Sequence, residues 1–145
     1  AYLWVFGWPL ERRLGHWSVA ALFLLGGLVA QLMLAQRLPS LEFAVIGASG
    51  AVSTILGAYL GLFPGRTIGL WLPLGLIVEF VRVPALLVIG SWFGLQLLYA
   101  GLGPITWKMA FWTHLAGFSI GLMLALLLRG GRLLLAGHGK ETFET

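Results

Sequence analysis

The sequence predicts an all-α fold: a polytopic helical bundle in a membrane, with four complete transmembrane helices plus the end of another. Three observations carry this. Of the 145 residues, 59% are hydrophobic and only 10% are charged, with a mean hydropathy of +0.96; soluble domains sit near half apolar and a quarter charged. The apolar residues gather into runs of about 20, the length that crosses a bilayer as a helix. The nine Lys and Arg residues are scattered at the boundaries of those runs.

The elements follow in chain order. Ala1 to Trp8 reads as the tail of a span, ended by Pro9 and the charged Glu11-Arg12-Arg13. The first complete span runs from about Trp17 to Leu34, interrupted only by Gln31. The second runs from about Leu41 to Phe63, holds Ser49, and after Glu42 carries no charge until Arg66. The third occupies about Pro84 to Leu102, and the fourth about Ile105 to Leu128, with Lys108 near its start and His114 further in. Gly65 to Val83 is apolar but broken by Pro73, Gly75, Glu79 and Arg82, which fits an interfacial or re-entrant segment with Glu79 and Arg82 paired at i,i+3. Residues 1–128 thus read as one transmembrane domain and 129–145 as a polar, mobile, cytoplasmic tail. The chain starts at Ala1 inside an apolar run, without an initiator Met or a signal-peptide layout, as expected of a piece of a longer protein.

Composition also excludes. The net charge of +4 forms no basic patch, so nucleic acid is not an expected partner. With no cysteine there is no disulfide framework, thiol nucleophile or Cys-based metal site, and no metal or cofactor is indicated. The charges act instead as topology signals. With the end after the fourth span in the cytoplasm, that side collects Arg12, Arg13, Arg66, Arg82, Arg129, Arg132 and Lys140, against Arg37 and Lys108 opposite. Trp8, Trp17, Trp107 and Trp112 fall near span ends, as aromatic belts do.

Two polar residues stand out against this apolar background. Ser49, in Gly47-Ala48-Ser49-Gly50, and His114, in His114-Leu115-Ala116-Gly117, each lie inside a span. Polar and titratable groups in a span are costly, and the default reading is functional. Both spans start at the same face in this orientation, and both residues sit roughly 12 to 14 Å below it at about 1.5 Å of rise per residue. Small residues flank both: Gly47, Gly50, Gly57 and Gly61 around the serine, Gly117 and Gly121 beyond the histidine. Close backbones are what a short hydroxyl needs to reach an imidazole. Taken alone, Gly-Ala-Ser-Gly reads as helix packing, and a lone intramembrane His equally as an ion ligand or proton relay. Gly90-Ser91-Trp92-Phe93-Gly94 also reads as small-residue packing. The Ser49 string is no nucleophile elbow, since Ala51 fills the final Gly position, and a chain without Asp cannot build a Ser-His-Asp triad. Amide hydrolysis here would use a dyad.

These strings resemble the rhomboid family of intramembrane serine proteases. Ala1-Tyr2-Leu3-Trp4-Val5-Phe6-Gly7, with Glu11 and Gly15, resembles the end of its second core helix. Gly47-Ala48-Ser49-Gly50-Ala51 through Gly57-Ala58-Tyr59 resembles the nucleophile helix, Leu62-Phe63-Pro64 its exit, and His114-x-x-Gly117-x-x-x-Gly121 the helix of the base. The resemblance implies a six-helix core in which Ser49 is the nucleophile and His114 the general base, cleaving membrane-anchored proteins in or near their transmembrane segments. Gly47, Gly50, Gly117 and Gly121 would serve the oxyanion site and helix packing. It implies transmembrane protein substrates and a lipid bilayer as partners, and the plasma (inner) membrane if the source is bacterial. Two positions depart from the family. Thr113 stands where Ala is common, and Ser53 where some members carry an aromatic that stacks on the histidine. The family's first helix and its His-x-x-x-Asn oxyanion stretch would precede Ala1, so this piece alone is expected to be weak or inactive. Two other readings stand beside this one: an inactive rhomboid-like protein that binds transmembrane clients, and a transporter piece with His114 as proton relay.

Overall fold

A computed structural model of the chain describes residues 2–37, 48–74, 77–103 and 105–141. The bundle is helical, as composition demands, with one β-hairpin inserted. A π-helical turn, Leu3–Gly7, runs into α1 (Trp8–Leu14), followed by α2 (His16–Arg37) and α3 (Ser49–Leu62). Strands β1 (Thr67–Leu74) and β2 (Ile77–Pro84) lead into α4 (Ala85–Leu102) and α5 (Ile105–Glu141). Among the described residues, three helices are long and apolar enough to span: His16–Gln36, Ala85–Leu102 and Ala110–Gly131. α3 is a shorter apolar helix of 14 residues, and the preceding part of the expected second span, 41–47, including Gly47, lies outside the described residues.

Glycine contacts reveal how the helices run. A Cβ on Gly50 would meet Thr113 Cγ2 at 2.9 Å; one on Gly57 would strike the Phe118 carbonyl, and one on Gly61 would meet Ala125 Cβ at 2.6 Å. Contacts therefore advance together along α3 and α5, so the two helices run parallel. α2 runs antiparallel to α3, since Gly27 meets Ala51 Cβ at 2.7 Å while Gly26, one residue earlier, meets Thr54 further along. α3 is the hub: Ile55, Leu56, Ala58 and Tyr59 are all almost wholly buried. Without a hydrophobic effect between helices in lipid, this interdigitation of small residues is what holds the bundle.

Three local expectations are corrected. Pro9 does not end the first helix, because it sits at the N-terminal turn of α1 directly after the π-helical turn. A π turn bonds i to i+5, and this local rewinding accommodates the donor that proline lacks. The helix stops instead at Gly15, whose φ of 87° is the left-handed conformation that glycine adopts without strain.

Residues Thr67–Leu74 and Ile77–Pro84 pair antiparallel, with Thr67 opposite Pro84, Trp71 opposite Phe80 and Leu72 opposite Glu79. β-branched and aromatic residues concentrated here favour strand over helix. Glu79 and Arg82 consequently point to opposite faces, and the helical i,i+3 pairing does not arise. A two-stranded sheet has two open edges whose backbone groups need water or headgroups, so the hairpin belongs at the interface rather than in hydrocarbon.

The segment after Arg129, read as a mobile tail, instead continues α5 to Glu141. At 37 residues this helix is about 55 Å long, well beyond the roughly 30 Å hydrocarbon core.

Candidate active site

Ser49 is the first residue of α3, and its position follows from the contacts around it. The next residue, Gly50, packs against Thr113, directly before His114 in α5. One turn further, a Cβ on Gly117 would run into the Gly50 carbonyl, and one on Gly121 into the Thr54 carbonyl. Only glycine lets the two backbones approach this closely. The parallel course of α3 and α5 thus carries the serine and the histidine to one level of the bundle.

Both side chains line one cleft of about 200 Å³, together with Tyr2, Val52, Leu56 and Trp92. Ser49 is exposed, and its carbonyl accepts a hydrogen bond from the Ser53 hydroxyl at 2.8 Å. His114 is buried at 8% exposure. Its Nδ1 and Nε2 are the buried side-chain polar atoms that have no hydrogen-bond partner among the described residues. Ser49 and His114 therefore share a cleft without a direct hydrogen bond between them. An unsatisfied buried polar group costs about 1–3 kcal/mol, so the imidazole nitrogens favour any polar group that enters the cleft. Among the described residues, no group of three or more His, Cys, Asp or Glu side chains is placed to hold a metal ion.

Thr113 is almost fully buried, and its methyl group fills the space beside Gly50, which is the crowding its side chain threatens. At position 53 the chain has a small hydroxyl whose bond goes to Ser49, so no aromatic reaches the imidazole from α3. Trp92 of α4 supplies one instead, with ring centres 5.6 Å apart and planes tilted by 43°. Phe93 beside it contacts Phe111 at 6.1 Å and Phe118 at 5.2 Å, docking α4 on α5. Sequence reasoning passed over Trp92 because it sits in the Gly90–Gly94 string, read there as small-residue packing. That reading is corrected: Gly90 and Gly94 have nothing within 4 Å of an added Cβ, and the aromatics between them make the contacts. The available signal was two adjacent large rings flanked by small residues on a span with few other polar or aromatic anchors.

A polytopic helical membrane protein, with a serine and an unpartnered buried histidine on one cleft between its central helices, is the class that this fold and site define. The family model of the rhomboid domain matches residues 1–131, and the chain belongs to the rhomboid family. No curated protein and no solved structure gives a match.

Proposed function

We propose that this rhomboid family member is an intramembrane serine endopeptidase that cleaves membrane-anchored proteins in or near their transmembrane segments through a Ser49–His114 dyad. The observation that carries the reading is the shared cleft, lined by an exposed Ser49 and by a buried His114 whose imidazole nitrogens have no partner among the described residues. In the reaction, Ser49 Oγ attacks the scissile carbonyl carbon as an imidazole nitrogen of His114 takes the hydroxyl proton. The tetrahedral intermediate collapses by expelling the amine, which receives that proton from the imidazolium. Water, activated by the same imidazole, then hydrolyses the acyl-enzyme. Ser49 opens α3, so its N–H lies in the first turn, where amides have no intrahelical acceptor and the helix dipole is positive. That amide is the oxyanion donor this chain offers. A scissile bond inside a helix must be unwound before it fits, which favours substrates with helix-breaking residues near the cut.

The same proposal places residues 129–145 in the cytoplasm, with the cleft opening toward the other side, and the protein in the plasma (inner) membrane if the source is bacterial. The test is labelling of the protein in detergent by a serine-directed fluorophosphonate, together with cleavage of one model transmembrane substrate. Both are expected to be lost in Ser49→Ala and in His114→Ala. Labelling that persists in Ser49→Ala would overturn the assignment.

A further inference from the structure

We propose that the cleft framed by Arg12, Arg13 and Arg66 binds the phosphate of an anionic phospholipid headgroup, a role separate from the catalytic reading above. The three guanidinium groups line one cleft of about 470 Å³ together with Trp8, Pro9 and Phe63. Arg13 and Arg66 each place the guanidinium carbon 5.1 Å from the centre of the Phe63 ring, so the two carbons stand no further apart than twice that distance. Such a separation is comparable to the screening length of about 8 Å at physiological ionic strength, and like charges gathered there repel. No carboxylate among the described residues offsets them within 4.0 Å. The nearest acid in sequence, Glu11, is engaged by His16 Nδ1 at 2.7 Å. Arg13 Nη1 reaches the Leu62 carbonyl at 3.4 Å, which orients that group without neutralising it. The cluster is therefore an exposed cationic patch with no carboxylate within 4.0 Å among the described residues.

Two features point to a lipid rather than a free anion. The cleft lies where α2 begins at His16 and the antiparallel α3 ends at Leu62, at the boundary between apolar spans and water. Arginines there meet the phosphate layer, and basic pockets between helices at that depth suit anionic headgroups. A second cleft of about 430 Å³ continues from the first, sharing Trp8, Pro9 and Arg66 and adding the apolar Trp4, Val5 and Ile68. The Trp4 and Trp8 rings lie 5.3 Å apart, tilted by 39°, and both residues are exposed. A charged cleft continuing along the exposed faces of Trp4 and Trp8 matches an amphiphile, phosphate at the arginines and acyl chain along the rings.

The experiment is native mass spectrometry of the full chain in detergent, titrated with phosphatidylglycerol, with phosphatidylcholine, and with inorganic phosphate as competitor. Phosphatidylglycerol is expected to bind well above phosphatidylcholine. Each of Arg12→Gln and Arg66→Gln should weaken it about fivefold, and the triple variant with Arg13→Gln about a hundredfold. Arg129→Gln, outside the cleft, should leave it unchanged. Neither Arg12 nor Arg66 donates a side-chain hydrogen bond to the described fold, so their single variants keep the test sharp if the triple variant misfolds. Equal binding of the two lipids, phosphatidylglycerol binding unaltered in both single variants, or displacement of phosphatidylglycerol by millimolar phosphate would each overturn the proposal.

Discussion

Gly121→Ala is the substitution that most directly interrogates the α3–α5 contact. An added Cβ would overlap the Thr54 carbonyl and sit 2.8 Å from its carbon and 2.9 Å from the Ala58 nitrogen. All three are backbone atoms, so no side chain can swing aside. Carbon contacts relax at about 3.5 Å, so the helices must part by on the order of 1 Å. Overpacking of this kind costs typically 1–3 kcal/mol, and backbone opposition puts this site at about 3. Alanine regains about 1 kcal/mol over glycine in a helix interior, leaving a net loss of about 2 kcal/mol, or roughly 4–8 °C in Tm. Gly90→Ala is the matched control, since nothing lies within 4 Å of its Cβ; it should be neutral or slightly stabilising. The assay is thermal unfolding of both variants in one detergent, followed by fluorophosphonate labelling of the folded material. Because about 1 Å of misplacement can cost 10²-fold in rate, labelling of Gly121→Ala should fall much further than its stability. A Gly121→Ala protein as stable as Gly90→Ala would refute the close backbone contact, and with it the argument that glycine brings Ser49 and His114 to one level.

Trp92→Ala should slow labelling about tenfold with little change in Tm, and Trp92→Phe should restore most of the rate; a loss of Tm matching the loss of rate would reduce Trp92 to helix docking. The chain contains no cysteine, so single-cysteine variants at Arg132 and Lys108 report sidedness cleanly. In sealed vesicles of known orientation, position 108 should react with an impermeant maleimide from outside and position 132 only after lysis; the reverse pattern would overturn the orientation.

Much of the site's composition was legible in the residues themselves. Ser49 and His114 are conspicuous because each is a polar group in an apolar run, and the glycines that flank them announce close packing. The spans were legible for the same reason: insertion into hydrocarbon depends on each residue's own solvation, which needs no knowledge of its neighbours in space. Local backbone conformation was read less well. At Pro9 the π-helical turn absorbs the missing donor, and at 67–84 cross-strand pairs such as Trp71 with Phe80, 5.1 Å apart, favour a hairpin. Neither outcome is visible in hydropathy, since both concern hydrogen bonds between backbone groups.

By itself, then, the sequence determined that this is a helical membrane protein of the rhomboid type, where three of its spans lie, and which polar residues stand out in its apolar runs. The tertiary structure alone decided that α3 and α5 run parallel with glycine against backbone, that Trp92 of α4 rather than an aromatic of α3 packs on the imidazole, and that Arg12, Arg13 and Arg66 line one cleft. Those are relations between residues up to 67 positions apart. Their energies arise from pairwise contact and charge proximity, which exist only once the chain has brought the partners together.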